Sequence, residues 1–223
     1  SRYFPRYWPP VTDEAAVRCA TTGPATRVAA GPVSGIILAA GASRRMGAAG
    51  PKQLAHYKGR YLLEHAIEAA NGSGLAETVV VLGHEATAIA GALGLSADGP
   101  LRAVVSEDSG RGVSASLKTG LLAVDANAVA ACVLLGDQPG LAPDIIDRVV
   151  TAGAVSERPA LRPVYDDGVP GHPVWLARRL WPEVFGLSGD QGLRSLFADR
   201  PELLEELGVG GAPPPDIDRT DDL

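Results

Sequence analysis

The sequence predicts a single Rossmann-like α/β domain, a three-layer α/β/α arrangement around a mixed, mostly parallel sheet. From residue 33 onward, short apolar runs alternate with stretches of helical periodicity, which is the pattern of β-α-β units. Hydrophobic residues make up 46% of the chain and aromatic residues only 5%, so aliphatic side chains must fill the core, as they do around buried parallel strands. The length of 223 residues suits one doubly wound domain.

The first predicted boundary lies near residue 33. Residues 1–33 mix Pro, Arg, Thr and aromatic residues without sustained periodicity, so we expect an N-terminal extension followed by one domain over 34–223. In the alternating region the predicted strands are 34–39, 77–82, 101–105 and 129–135. The predicted helices between and after them are 61–71, 85–93, 112–123 and 142–152.

The last third of the chain departs from this alternation. Residues 158–177 are rich in Pro and Gly and predict an irregular hairpin of two strands. We expect helices near 177–185 and 190–198 after it, and then a strand near 203–209.

Composition argues against several classes of partner. The formal net charge is -6 and Lys occurs only at positions 52, 58 and 118, whereas nucleic-acid binding needs clustered basic residues. No apolar run approaches the roughly 20 residues of a membrane span, and no secretory leader is evident, so we expect a cytoplasmic protein. Cys19 and Cys132 match neither a zinc spacing nor a disulfide framework.

The most informative segment is residues 36–47, IILAAGASRRMG, in which an apolar strand runs into a loop of small residues. Small residues let backbone N–H groups approach an anion, and Arg44 and Arg45 add positive charge, so this loop predicts a phosphate site. A dinucleotide fingerprint would need glycine at Ser43, and a P-loop would need Gly-Lys-Ser/Thr where residues 47–49 read Gly-Ala-Ala. An ordinary tight turn between strand and helix is the alternative.

The LAAGASRRMG segment followed by Lys52 resembles nucleotidyltransferases that use CTP or GTP, and it is most similar to the molybdenum-cofactor cytidylyltransferases. The LAAG spelling is closer to the cytidylyl branch than to the guanylyl branch, which tends toward LAGG. The resemblance implies that the loop wraps the triphosphate of CTP, with Arg45 and Lys52 as catalytic residues. The nucleotide-binding positions that it implies are Leu38, Ala39, Ala40, Gly41, Ser43, Arg45, Met46, Gly47, Lys52 and Ser116.

A second motif is VLLGDQP at 133–139, an apolar strand that ends in Asp137. Ligands of open α/β sheets bind beyond the carboxyl ends of the strands, although a lone Asp after a strand is more often a helix cap. The resemblance implies that Asp137 is catalytic and binds Mg²⁺. Since Mg²⁺ takes one or two carboxylates, a second acid is expected. The closing Asp-Ile-Asp at 216–218 resembles the family's, and we favour Asp218 over Asp216, with a solvated tail as the alternative.

Two glycine-rich turns carry one histidine and one aspartate, in the segments GVPGHPV at 168–174 and LSGDQG at 187–192. By themselves these segments are compatible with ordinary turns that have no functional role, because Gly and Pro commonly mark turns. The resemblance implies that Gly171, His172 and Asp190 line the acceptor side of the pocket.

The resemblance as a whole implies a Mg²⁺-dependent enzyme that transfers CMP from CTP to the terminal phosphate of molybdopterin and releases pyrophosphate. We also expect transient contact with a molybdoenzyme or its chaperone. One alternative is another small nucleotidyltransferase, which uses GTP or a sugar or alcohol phosphate. A second is an NAD(P)-dependent oxidoreductase, which the missing G-x-G-x-x-G and the strand end LGH at 82–84 disfavour. A third is an inactive carrier of the matured cofactor.

Overall fold

The computed structural model describes residues 31–41 and 50–223. The expected N-terminal extension therefore lies almost entirely outside the described residues. The same holds for Ser43, Arg45, Met46 and Gly47 of the predicted phosphate loop, whose roles remain predictions.

The described elements follow the predicted alternation. The strands are β1 (Val33–Ala39), β2 (His56–Tyr57), β3 (Arg60–Tyr61), β4 (Glu77–Leu82), β5 (Leu101–Val105), β6 (Ala130–Leu135), β7 (Ala160–Val164), β8 (Val174–Ala177) and β9 (Leu204–Gly208). The helices are α1 (Leu62–Asn71), α2 (Ala86–Leu93), α3 (Val113–Ala123), α4 (Pro143–Val155), α5 (Trp181–Gly186) and α6 (Leu193–Asp199).

The main sheet has seven strands in the order β5-β4-β1-β6-β8-β7-β9. Strand β8 runs antiparallel to both of its neighbours, β6 and β7, and the other pairs are parallel. The prediction of a mixed, mostly parallel sheet is confirmed. Because β1 lies between β4 and β6 in parallel register, the residues that follow these three strands meet at one edge.

Alternation along the strands builds the three layers. In β1, Ile37 packs into a core formed with α1, α2 and α4, whereas its neighbour Ile36 packs into a second core formed with α3, α5 and α6. Both side chains are fully buried. A central strand that is apolar on both faces is what a sheet covered on both sides by helices requires.

Two stretches differ from the sequence prediction. The helix expected at 177–185 is split, because β8 extends to Ala177, a 3₁₀ turn covers Arg178–Leu180, and α5 begins only at Trp181. Pro182 in its first turn fits this later start. A small hairpin, β2–β3, was not predicted. Its turn residues Lys58 and Gly59 have φ values of 48° and 84°, which a two-residue type I′ turn requires.

An ion pair joins β4 and β5 and ties them to neighbouring elements. Arg102 Nη1 donates to Glu77 Oε2 at 2.6 Å, and Glu77 Oε1 accepts from Ser34 Oγ at 2.7 Å and from the Asp125 backbone N–H at 2.6 Å. Burial by itself would raise the pKa of Glu77, but the hydrogen bonds from Arg102, Asp125 and Ser34 outweigh it and lower the pKa. This network fixes four segments of the chain at one carboxylate.

None of the helices in the described ranges is both long and apolar enough to span a bilayer.

Candidate active site

The predicted site residues gather at the carboxyl-terminal edge of the parallel strands. Ala40 and Gly41 follow β1, and Asp137 follows β6 by two residues. His172 reaches the same edge from the other direction, because β8 is antiparallel to β6 and His172 precedes it. The topology therefore brings the start of the predicted phosphate loop, Asp137 and His172 to one end of the sheet, where open α/β folds bind their ligands.

Three carboxylates converge beside β6. The Ile217 side chain is only 2% exposed, and its backbone N–H donates to the Asp137 carbonyl at 3.1 Å, which anchors the C-terminal segment against the strand end. Asp216 and Asp218 flank this anchor. One oxygen of each of the three carboxylates lies within 4.8 Å of the others. The predicted pair of Asp137 and Asp218 is thus brought together, and Asp216 joins it.

Lys52 lies within this cluster. Its Nζ donates to Asp137 Oδ2 at 2.8 Å and to Asp218 Oδ1 at 3.0 Å. The side chain extends from a 3₁₀ turn, Lys52–Leu54. The next residue, Gln53, is buried and donates through Nε2 to the carbonyls of Ala39 at 2.5 Å and Gly41 at 3.3 Å. Gln53 therefore fixes the backbone of Lys52 next to the start of the predicted phosphate loop.

The charges in the cluster shift the pKa values of its members. Burial opposes the positive charge of Lys52, but hydrogen bonding and attraction from Asp137 and Asp218 prevail and raise its pKa. The pKa of Asp216 is raised by burial and by repulsion from Asp137 and Asp218, against the attraction of Lys52. A carboxylate whose negative charge is disfavoured in this way gains from an additional cation.

The donor set fits a hard divalent cation. Mg²⁺ binds oxygen at about 2.0–2.1 Å in an octahedron, so that ligands on opposite sides of the ion are about 4.2 Å apart. The three acid oxygens lie within 4.8 Å of one another, so small side-chain movements would bring them onto one ion. The Lys52 ammonium already acts as a cation on two of the three carboxylates. Within the described part of the chain, this is the one group of three or more possible ligands that meets these distances.

His172 and Tyr165 lie at the same edge, beside β8 and β7. Burial lowers the pKa of His172 to about 4, with the Asp137 carboxylate offsetting part of the shift and Arg162 adding to it. The imidazole is therefore neutral at pH 7 and can both donate and accept a hydrogen bond. Tyr165 is buried as a residue, and its hydroxyl donates to the His172 carbonyl at 3.2 Å. A Cβ at Gly171 would lie 2.5 Å from the Tyr165 ring.

The second predicted acceptor turn, 187–192, is attached to the start of α3. Ser114 donates to the Gly189 carbonyl through its hydroxyl at 2.8 Å and through its backbone N–H at 3.2 Å. Gly112 has a φ of 119°, and a Cβ there would lie 2.3 Å from the Gly189 carbonyl, so only glycine fits. Asp190 is exposed at the tip of this turn. The predicted nucleotide-binding residue Ser116 is buried on α3.

The sequence missed three supporting residues. Gln53 and Ser114 make hydrogen bonds to distant segments, which no local sequence pattern predicts. Tyr165 lies in a loop whose path depends on the packing of β7 and β8. Gln53 directly follows the predicted Lys52, which is the only signal that pointed toward it. The roles of the predicted nucleotide and acceptor residues remain predictions.

Comparison with known proteins gives a consistent relationship. The family profile described as a MobA-like NTP transferase domain matches residues 35–205. The protein named nicotine blue oxidoreductase, from Paenarthrobacter nicotinovorans, is 36% identical over 183 residues, which cover 78% of this chain and 85% of that protein.

Among solved structures, Rv0371c from Mycobacterium tuberculosis H37Rv superimposes with a TM-score of 0.76 at 34% identity, covering 87% of this chain and 96% of that one. A structure of the same mycobacterial protein in complex with manganese gives a TM-score of 0.72 at 32% identity, covering 86% and 95% of the two chains.

Proposed function

The chain belongs to the MobA-like NTP transferase family, and from this premise we propose that it transfers CMP from CTP to the terminal phosphate of molybdopterin and releases pyrophosphate. The observation that carries the proposal is the group of Asp137, Asp216 and Asp218 with Lys52, placed where the LAAG strand end meets the loop. A triphosphate is bound by a metal ion on carboxylates together with backbone N–H groups and cationic side chains. The carboxylate group and the small-residue loop would supply these two parts.

The chemistry asks for alignment and for control of negative charge. The acceptor phosphate is itself an anion near neutral pH, so the residues need not supply a strong base for it to attack the α-phosphorus in line. Asp137, Asp216 and Asp218 would hold Mg²⁺, which when bound neutralises charge on the phosphates and on the leaving pyrophosphate. Holding the two reactants in line contributes about 7–11 kcal/mol in favourable cases.

The residues of the chain divide this work. In the proposal, the backbone N–H groups of the loop that starts at Gly41 bind the triphosphate, and Arg45 and Lys52 offset its charge. His172, neutral at pH 7, donates a hydrogen bond to the acceptor without adding a charge. Asp190 contacts the acceptor from a turn that Ser114 attaches to the start of α3. The product passes to a molybdoenzyme or its chaperone.

A second candidate is an oxidoreductase, which the name of the 36%-identical relative favours. The residues of this chain give it less support. The first loop lacks the dinucleotide fingerprint, and β4 runs into Gly83 and His84 without the acid that binds a ribose.

Ligand-induced stabilisation distinguishes these activities, because a ligand that binds the folded state raises its apparent stability. We expect CTP to raise the Tm only with Mg²⁺ or Mn²⁺ present, and GTP, ATP and NAD(P) to raise it less. Asp137→Asn should remove the metal-dependent part, whereas Asp199→Asn, at an exposed position on α6, should retain it. A shift with GTP alone would indicate a guanylyl enzyme. A metal-independent shift with NAD(P) would contradict the nucleotidyltransferase assignment.

A further inference from the structure

The ammonium group of Lys52 is more enclosed than the carboxylates that it contacts. The Lys52 side chain is 11% exposed, whereas those of Asp137 and Asp218 are 34% and 48% exposed. The cation therefore lies on the inner side of the cluster, and the acids keep their outer faces open to solvent. Two of the three candidate metal ligands already have a positive partner.

A divalent ion and this ammonium group compete for the same two carboxylates. Bonds of about 2.0–2.1 Å to Asp137 and Asp218 would bring the ion next to Lys52 Nζ, which lies only 2.8 and 3.0 Å from the same two carboxylates. Two cations at such a separation repel strongly in a partly buried site. Metal binding is therefore weak until the Lys52 side chain moves away from the carboxylates.

Lys52 can leave while its backbone stays in place. The turn that carries it is tied by Gln53 to the carbonyls of Ala39 and Gly41, at the start of the predicted phosphate loop. The flexible four-carbon side chain can swing away from the carboxylates, on the side of Gly41, without moving the turn. A triphosphate bound there would offer the ammonium a new anionic partner.

We propose that Lys52 is an internal counter-ion that occupies the metal carboxylates until the nucleotide arrives, so that one side-chain movement couples metal binding to nucleotide binding. The inference rests on the proposed function, since it requires a substrate that combines a metal with a triphosphate. Both ligands favour the position in which Lys52 has left the carboxylates, so each raises the affinity for the other. Without nucleotide the site binds metal weakly.

The first test measures Mn²⁺ binding by calorimetry without nucleotide. Lys52→Met keeps the length of the side chain but removes its charge, and we expect it to bind Mn²⁺ about tenfold more tightly than the wild type, because two ion pairs no longer have to be broken. The control is Lys58→Met in the exposed β2–β3 turn, where Lys58 lies over the Tyr57 ring. Its Mn²⁺ affinity should equal that of the wild type.

The second test repeats the titrations with saturating CTP and corrects for Mn²⁺ held by free CTP. In the wild type the gain in Mn²⁺ affinity on adding CTP includes the departure of Lys52 from the carboxylates, whereas in Lys52→Met it includes only direct contact between metal and nucleotide. We therefore expect the affinity ratio to be larger in the wild type. Circular dichroism verifies folding, and Lys52→Gln is used if the Met variant does not fold.

These two titrations distinguish failure of the counter-ion role from failure of the proposed metal-dependent function. Mn²⁺ affinity that is unchanged or weaker in Lys52→Met, together with equal CTP effects in both proteins, overturns the counter-ion role while leaving the metal site intact. If the wild type, Lys52→Met and Lys58→Met all fail to bind Mn²⁺, with and without CTP, the metal-dependent function itself is contradicted. Tighter Mn²⁺ binding together with a reduced CTP effect supports the proposal.

Discussion

His172 makes the protein sensitive to acid in a defined pH range. Burial lowers the pKa of the folded-state imidazole from 6.5 to about 4. Between these two pH values the unfolded chain binds a proton that the folded chain does not, so the free energy of unfolding decreases as the pH falls. The contribution of the neutral imidazole is fully present above pH 6.5 and is lost as the pH falls toward 4.

The size of the effect follows from the shift. Each pKa unit between the folded and unfolded states changes the free energy of unfolding by about 1.4 kcal/mol. The full shift of the His172 pKa would therefore change it by about 3 kcal/mol. Between pH 7.5 and pH 5 only part of the range is crossed, and His172 retains some contact with solvent. We therefore expect the wild type to lose about 1–2 kcal/mol through this residue over that interval.

Urea denaturation of the wild type and His172→Gln at pH 7.5 and pH 5 isolates the contribution. Glutamine is neutral at both pH values, so the variant should lose about 1–2 kcal/mol less than the wild type on acidification. The matched control is His84→Gln at an exposed histidine, whose pH dependence should follow that of the wild type. Parallel curves for the wild type and His172→Gln would refute the assignment of a neutral, partly buried imidazole.

Three further substitutions test the Glu77–Arg102 ion pair, the contact between Gly153 and Trp175, and the attachment of the 187–192 turn. Glu77→Gln should lower the free energy of unfolding by about 2 kcal/mol, because Arg102 loses its charged partner, whereas Glu68→Gln in an exposed pair should cost about 0.5 kcal/mol or less; similar urea midpoints for both would argue against the network. Gly153→Val should lower the Tm in calorimetry, since a Cβ there lies 2.4 Å from the Trp175 ring, and an unchanged Tm would contradict this close packing. Ser114→Ala should speed amide hydrogen exchange in the 187–192 turn, and unaltered exchange would show that the turn does not depend on this bond.

The sequence predicts the site best where a functional residue directly follows an apolar strand. The apolar run that contains Ile36 and Ile37 predicted a buried strand, and the parallel arrangement then predicted that Asp137 would face the same crevice as the loop. The family resemblance added Asp218, which lies far along the chain from Asp137, and the structure brings the two together. Each of these predictions depended on a motif in its immediate sequence neighbourhood.

Contacts between distant segments were beyond the reach of the sequence. Lys52 was expected on the phosphates of the nucleotide, but its contacts with Asp137 and Asp218 span separations of 85 and 166 residues. No periodicity encodes such a pairing. The β2–β3 strands have two residues each and are too short to show a pattern, and the anchoring of Gln53 depends on the finished fold of β1.

The most direct test of the account is the product formed from CTP. The purified chain is incubated without oxygen with CTP, Mg²⁺ and molybdopterin, and pyrophosphate release is measured together with the mass of the pterin product. We expect one pyrophosphate released for each pterin converted and a pterin heavier by one cytidylyl group, both dependent on Mg²⁺ and abolished by Asp137→Asn. Equal turnover by Asp137→Asn, or a pterin that is unchanged while CTP with Mg²⁺ is present, would contradict it.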